Sequence, residues 1–272
     1  MTRPKPLASL FLAAACVIGI APTVTADPFE PAATSQDEGG GVEDKREKVS
    51  ELCDQFKELI GKRGEEDTAA VAVMDTLLQE FPVSGPKDRE LIAETIGKSF
   101  DEKRKDLEGG VLDNKLYIAA AVCLGEMGPE SASILPKWIG HKRYRKDTAL
   151  QTQLILSLGK TKDVGAIKTL MGLLKDKSPT IISAAAQSLA NFSGADQKER
   201  KKIVNDLVRI LIDAKTAVDD DVTDTIAREL YDTIAAPIIT TLQELTGHDE
   251  RAPEEWQRWW NKNKKEDWDA ED

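Results

Sequence analysis

Three segments of this chain carry the same hydrophobic pattern in succession, and that repetition restricts the possible folds more than any other feature. Laid over one another, LYIAAAVCLGEMG (116–128), LQTQLILSLGKTK (150–162) and IISAAAQSLANFS (181–193) put Leu124, Leu158 and Leu189 in register, 34 and 31 residues apart. Apolar residues recur at three- and four-residue spacing, as in amphipathic helices, with Ala or Ser where a neighbouring helix must come close. Gly125 and Gly159, each following a Leu, read as helix stops. A second apolar helix follows each segment: SASILPKWI (131–139), GAIKTLMGLLKD (165–176) and KKIVNDLVRILID (201–213). A helix-turn-helix-turn unit buries its apolar face only by stacking on the next unit. The expected fold class is all-α, an α-solenoid of stacked antiparallel helix pairs.

The composition fits that expectation. Aromatic residues make up 5% of the chain, so Ala, Val, Ile and Leu must build the core, as helical proteins allow. With 31% charged residues and a net charge of -11, a polytopic membrane protein is excluded and a basic nucleic-acid binder is disfavoured. The one long apolar run lies at the start. Arg3 and Lys5 precede Leu7 to Ile20, and Val24 and Ala26 suit the -3 and -1 positions of a cut before Asp27. Residues 1–26 read as a signal peptide, with a retained anchor as the alternative, and Cys16 as part of its apolar run. The chain is therefore expected outside the cytoplasm, in the periplasm or beyond the cell. Residues 27–44, rich in Pro, Gly and acids, read as a flexible acidic linker. Cys53 and Cys123 stand among apolar neighbours, either as buried small hydrophobes or as a bridge that an oxidising compartment permits.

Residues 45–113 contain amphipathic helices at 49–60, 67–81 and 87–100 without the Leu-Gly pair, which makes them divergent repeats or an N-terminal cap. Over residues 114–213 the chain resembles the HEAT-repeat family in its short bacterial form, and repeats of this kind are expected to run to 247. The C-terminal stretch has a Leu-Thr-Gly turn (245–247), then HDERAPEEWQRWWNKNKKE (248–266), and is similar to the closing segment of exported bacterial HEAT-repeat proteins. Pro253 suits the first helical position, and Glu254 and Glu255 suit the positive end of the helix. Trp256, Trp259 and Trp260 share one face, which reads either as a cap over the last repeat or as an aromatic platform for a glycan or partner. Residues 267–272 form an acidic tail, expected to be disordered.

Motifs for catalysis fail at particular positions. Gly97-Lys98-Ser99 and Gly159-Lys160-Thr161 imitate a P-loop end, but Ile92 and Leu154 stand where it needs Gly. His141 and His248 have no neighbouring nucleophile, and H-E-x-x-H and G-x-S-x-G are missing from the sequence. Asp219, Asp220, Asp221 and Asp224 lack the alternation and central Gly of a calcium loop and read as helix-capping acids. Asn191-Phe192-Ser193 matches a glycosylation sequon, with Phe192 read as packing. The turn HKRYRK (141–146) opposes the overall charge. Lys142, Arg143, Tyr144, Arg145 and Lys146 form either a solvated loop or a docking point for an acidic partner or polymer.

The expected function is a non-catalytic scaffold or adaptor that binds a protein partner, with no cofactor and no nucleic acid. Membrane contact would be limited to the signal segment. The resemblance implies a concave surface, with binding positions near Lys115, Gln151, Gln153 and Thr180. The alternative is a carbohydrate- or envelope-polymer-binding module that uses the Trp face or the basic turn. Enzymes of the bilin-lyase type share short HEAT-like repeats, but a shared fold does not carry function.

Overall fold

A computed structural model describes residues 43–108 and 110–269. The expected signal peptide, the linker up to residue 42 and the last three tail residues lie outside the described residues. Ten α-helices and no strand occur among those described. They are α1 (Glu47–Ile60), α2 (Asp67–Glu80), α3 (Pro86–Gly97), α4 (Lys115–Glu126), α5 (Thr148–Lys160), α6 (Ala166–Leu173), α7 (Pro179–Leu189), α8 (Gln197–Asp220), α9 (Thr225–Thr246) and α10 (Pro253–Asn263).

The helices pack as pairs and as a row. Helices α2, α4, α5, α7 and α9 lie side by side in that order, α1 packs on α2 and α3, α6 on α7, and α8 between α9 and α10. Neighbours α4 and α5 are tied at both ends. Asn114 Nδ2 donates to Asp147 Oδ2 (2.8 Å) where they start, and Lys160 pairs with Glu126 where they finish, so the two run parallel. Asp147 also caps α5, its Oδ1 accepting from the Leu150 N–H at 3.0 Å. The register leucines Leu124, Leu158 and Leu189 are all fully buried in one continuous core.

Two sequence expectations change here. Gly125 and Gly159 do not stop their helices but lie inside α4 and α5. A Cβ on Gly125 would stand 3.0 Å from Ser157 Cα, and one on Gly159 would stand 2.7 Å from Ser188 Cα. The glycines let adjacent helices of the row touch backbone to backbone. Ser188 Oγ uses that proximity to donate to the Ile155 carbonyl at 2.9 Å, and Thr241 Oγ1 likewise donates from α9 to the Ala186 carbonyl at 2.8 Å. The stretch 131–139 is not an α-helix. Only 3₁₀ turns form, at Gly128–Ser131 and Leu135–Lys137, because Pro129 and Pro136 lack the N–H that an α-helix needs and their rings obstruct its preceding turn.

The folded unit opens with reciprocal capping. Asp44 Oδ1 accepts from the Lys87 and Asp88 N–H groups at the start of α3, and Asp88 accepts from the Lys45 and Arg46 N–H groups just ahead of α1. Residues 43 and 44, counted with the flexible linker on sequence, are thereby part of the fold. At the other end Gly247, at φ +74°, terminates α9 in the left-handed conformation. Pro253 begins α10, whose first turn is closed by Glu255 Oε2 accepting from the Ala252 N–H at 3.0 Å.

Candidate functional site

Helices α4, α5 and α7 align at equivalent positions, most of which reach solvent, Ser183 being buried. The offsets of 34 and 31 residues match Ile118 with Thr152 and Ser183, Val122 with Leu156 and Gln187, and Glu126 with Lys160 and Asn191. In the middle of this face the solvent-contacting side chains are Ile118, Ala119, Val122, Thr152, Gln153, Leu156 and Gln187, and none is charged. Charge returns only at the helix ends, where Lys160 and Glu126 neutralise each other. Of the sequence-derived positions, Lys115, Gln153 and Thr180 border or join this face. Gln151 does not, for it is buried and bridges the Gly140 N–H to the Trp138 carbonyl. Val122, 41% exposed, and Leu156 were not singled out on sequence, although the repeat register was the signal that finds them.

The basic turn is held rigidly from below. Tyr144 is fully buried, and its hydroxyl donates to the Phe100 carbonyl at 2.6 Å. Its ring packs among Tyr117 (5.0 Å), Trp138 (5.8 Å) and Phe100 (6.4 Å). Arg143 Nη1 donates to the carbonyls of Phe100 and Asp101 at 2.8 and 3.0 Å, which fastens the turn to the loop ahead of α4. That loop is itself anchored by buried Arg104, which pairs with half-buried Asp67 (2.8 Å), and by Tyr117, whose hydroxyl donates to the Glu102 carbonyl. Burial pushes the Tyr117 phenol well above its ordinary range, so it stays a neutral donor. Lys142, Arg145 and Lys146 are exposed, without an ion-pair partner among the described residues.

The tryptophans are packed against one another. Trp256 is fully buried and Trp259 is 9% exposed, with ring centroids 5.6 Å apart. His248 covers Trp259 at 4.9 Å, and Trp260 is half-buried. Trp268, which the sequence reading left in the disordered tail, lies 5.4 Å from Trp259, with Arg200 and Lys201 of α8 over its ring. Asp267 and Asp269 meet Gln197 and Arg200 of α8. Residues 266–269 therefore close over the last helices.

No protein-family model, curated protein or solved structure matches this chain.

The remaining candidates are occupied in structural roles. Thr161 Oγ1 donates to the Leu158 carbonyl and Ser99 is buried, so both P-loop imitations are helix ends. Asp224 caps α9 by accepting from the Ile226 and Ala227 N–H groups, and Asp221 accepts from Thr223. Phe192 is buried, and Asn191 Nδ2 donates to the Ser188 carbonyl. Cys53 and Cys123 are buried free thiols, and desolvation pushes the Cys123 thiol up to about 12, which keeps it protonated and inert. Among the described residues no three His, Cys, Asp or Glu side chains converge on a metal-sized site, and no helix is long and apolar enough to cross a membrane.

Proposed function

We propose that this protein is a non-catalytic HEAT-like solenoid that acts outside the cytoplasm as a scaffold or adaptor, binding a partner protein on the exposed face of α4, α5 and α7. One observation carries this reading: in a chain with 31% charged residues, three neighbouring helices offer only neutral side chains across the middle of their shared face. A surface that met only water would be expected to carry its share of those charges, whereas interface centres are depleted in them. The row order, in which each helix packs beside the next repeat's counterpart, suits an extended binding surface. The glycan-platform alternative has less support, because Trp256 and Trp259 spend their ring faces on each other, His248 and Trp268.

The test is retention of a partner by the purified protein. We expect a protein in fixed proportion to co-purify with the wild type, and Val122→Arg with Leu156→Arg to lose it while helical content and melting are kept. A partner retained equally by that double variant would place binding elsewhere. Recovery of polysaccharide alone would favour the polymer-binding reading.

A further inference from the structure

The loops that lead into α4, α5, α7 and α9 lie along one edge of the row, since these helices run in the same direction with a return segment between each. Charge along that edge changes sign. At one pole is the basic turn, with exposed Lys142, Arg145 and Lys146; in the adjoining loop the acids Asp101, Glu102, Asp106 and Glu108 outnumber Lys103 and Lys105, and Asp147 caps α5 just after the turn, so the positive charge is confined to the turn itself. At the other pole is the tip joining α8 to α9, with Asp219, Asp220, Asp221 and Asp224; Lys215 answers only Asp219, and Arg228 donates to the Val222 carbonyl.

The acidic tip also stands proud of the edge. Thr241 of α9 is level with Ala186 of α7, and α9 begins 16 residues before that point while α7 begins only 7 before it. The excess of nine residues is about 14 Å of helix at the rise of 1.5 Å per residue, although Pro237 within α9 sets the direction in which it extends. Both poles expose aliphatic side chains that a monomer leaves in water: Val222 (67%) and Ile226 (78%) at the tip, and Leu107 (48%) and Val111 (60%) in the loop that Arg143 fastens to the basic turn. Four of the seven large apolar residues exposed among those described therefore lie at these two places.

We infer that this edge is the interface of a closed dimer with a second copy of the chain, the acidic tip of each copy seated against the basic turn of the other. Because both poles lie on one edge, a two-fold rotation makes both contacts at once, and the surface is complementary to itself. The charges steer and register the contact, and the four aliphatic side chains supply apolar burial. The neutral face of α4, α5 and α7 remains free, so the inference stands apart from the proposed partner site.

Sedimentation of the protein as its own cells process it, across a concentration series at low and high salt, tests this. A monomer–dimer equilibrium is expected, its dissociation constant rising roughly tenfold or more with salt as screening shortens to a few ångström. Two exposed-site variants decide the geometry: Lys142→Glu/Arg145→Glu/Lys146→Glu, and Asp220→Lys/Asp221→Lys. Each alone should be monomeric with unchanged circular dichroism, and their equimolar mixture should dimerise again, because both contacts regain opposite charges. A wild type that stays monomeric at low salt, variants that still dimerise, or a mixture that does not recover each overturns the proposal. Growth beyond a dimer overturns the closed two-fold arrangement. A basic-turn variant that loses only binding to a polyanion such as heparin, with no change in sedimentation, reassigns the turn to a polymer.

Discussion

At the scale of single residues, the absence of a methyl group sets how closely the helices of the row approach. Gly159 faces Ser188 so tightly that an added Cβ would lie 2.6 Å from its Cβ and 2.8 Å from its carbonyl oxygen, distances that backbone cannot yield cheaply. Gly125 leaves 3.0–3.2 Å to Ser157, and Gly172, exposed on α6, meets nothing within 4 Å. Replacing glycine by alanine in a helix gains about 0.5–1 kcal/mol from backbone entropy, and overpacking costs about 1–3 kcal/mol. Urea titration should therefore rank the variants: Gly172→Ala more stable than wild type by up to about 1 kcal/mol, Gly125→Ala near neutral or mildly destabilised, Gly159→Ala least stable. Equal effects at all three positions would remove close approach as the reason for these glycines. The sequence showed a glycine after a buried leucine, and a helix stop was the local reading. What it did not show was the neighbour 29 residues away in the chain. Tyr144 is a similar case, since KRYRK displays its charges but not that the ring turns inward to fill the space among Phe100, Tyr117 and Trp138.

At the scale of elements, the amphipathic helices were legible because their apolar spacing is local, and the failures lie where a local signal was overridden. Pro129 and Pro136 turned an apolar stretch into 3₁₀ turns, and the start of the acid-rich tail is held by Trp268 against α10 and α8, with Asp267 and Asp269 meeting α8 beside it. The start of α1 is an element held by charge. Arg46 reaches Glu80 and Asp88, and Lys48 meets Glu80 at 2.6 Å, so α1, α2 and α3 share one ion network. The hydrogen bond from Lys48, with Arg46 beside it, holds the Glu80 carboxyl below its ordinary range. A carboxyl whose pKa is lower folded than unfolded adds stability above its unfolded value, and that contribution is lost as pH falls through its folded value. Glu80→Gln should thus lower the urea midpoint at neutral pH, and the gap from wild type should close as the pH falls below about 4. A gap constant across that range would mean that Glu80 acts through packing alone.

At the scale of the folded unit, α4, α5 and α7 each pack between two helices of the row, α2 and α9 at its ends pack also on α1 and α8, and the order α2, α4, α5, α7, α9 follows the chain. The repeat period made the α4, α5, α7 part of this order readable, at offsets of 34 and 31 residues, whereas the places of α2 and α9 rest on packing that no period announced. The neutral face was less legible, because it depends on which residues of each period are left at the surface once neighbours have packed. A solenoid held by nearest neighbours, as proposed, has a consequence that a single interwoven core lacks: damage at one interface should spread by steps and fade with distance. Gly159→Leu wedges α5 from α7 at the point where Ser188 donates to the Ile155 carbonyl. Hydrogen exchange read by mass spectrometry should show protection lost first in α5, α6 and α7, partly in α4 and α9, and least in α1 and α3, whose own pairing and reciprocal caps are untouched. The α8–α9 hairpin should keep its mutual protection even where α9 has lost contact with α7. Uniform loss across all ten helices would show that the interfaces open as one cooperative unit, and the argument from neighbours would fail with it.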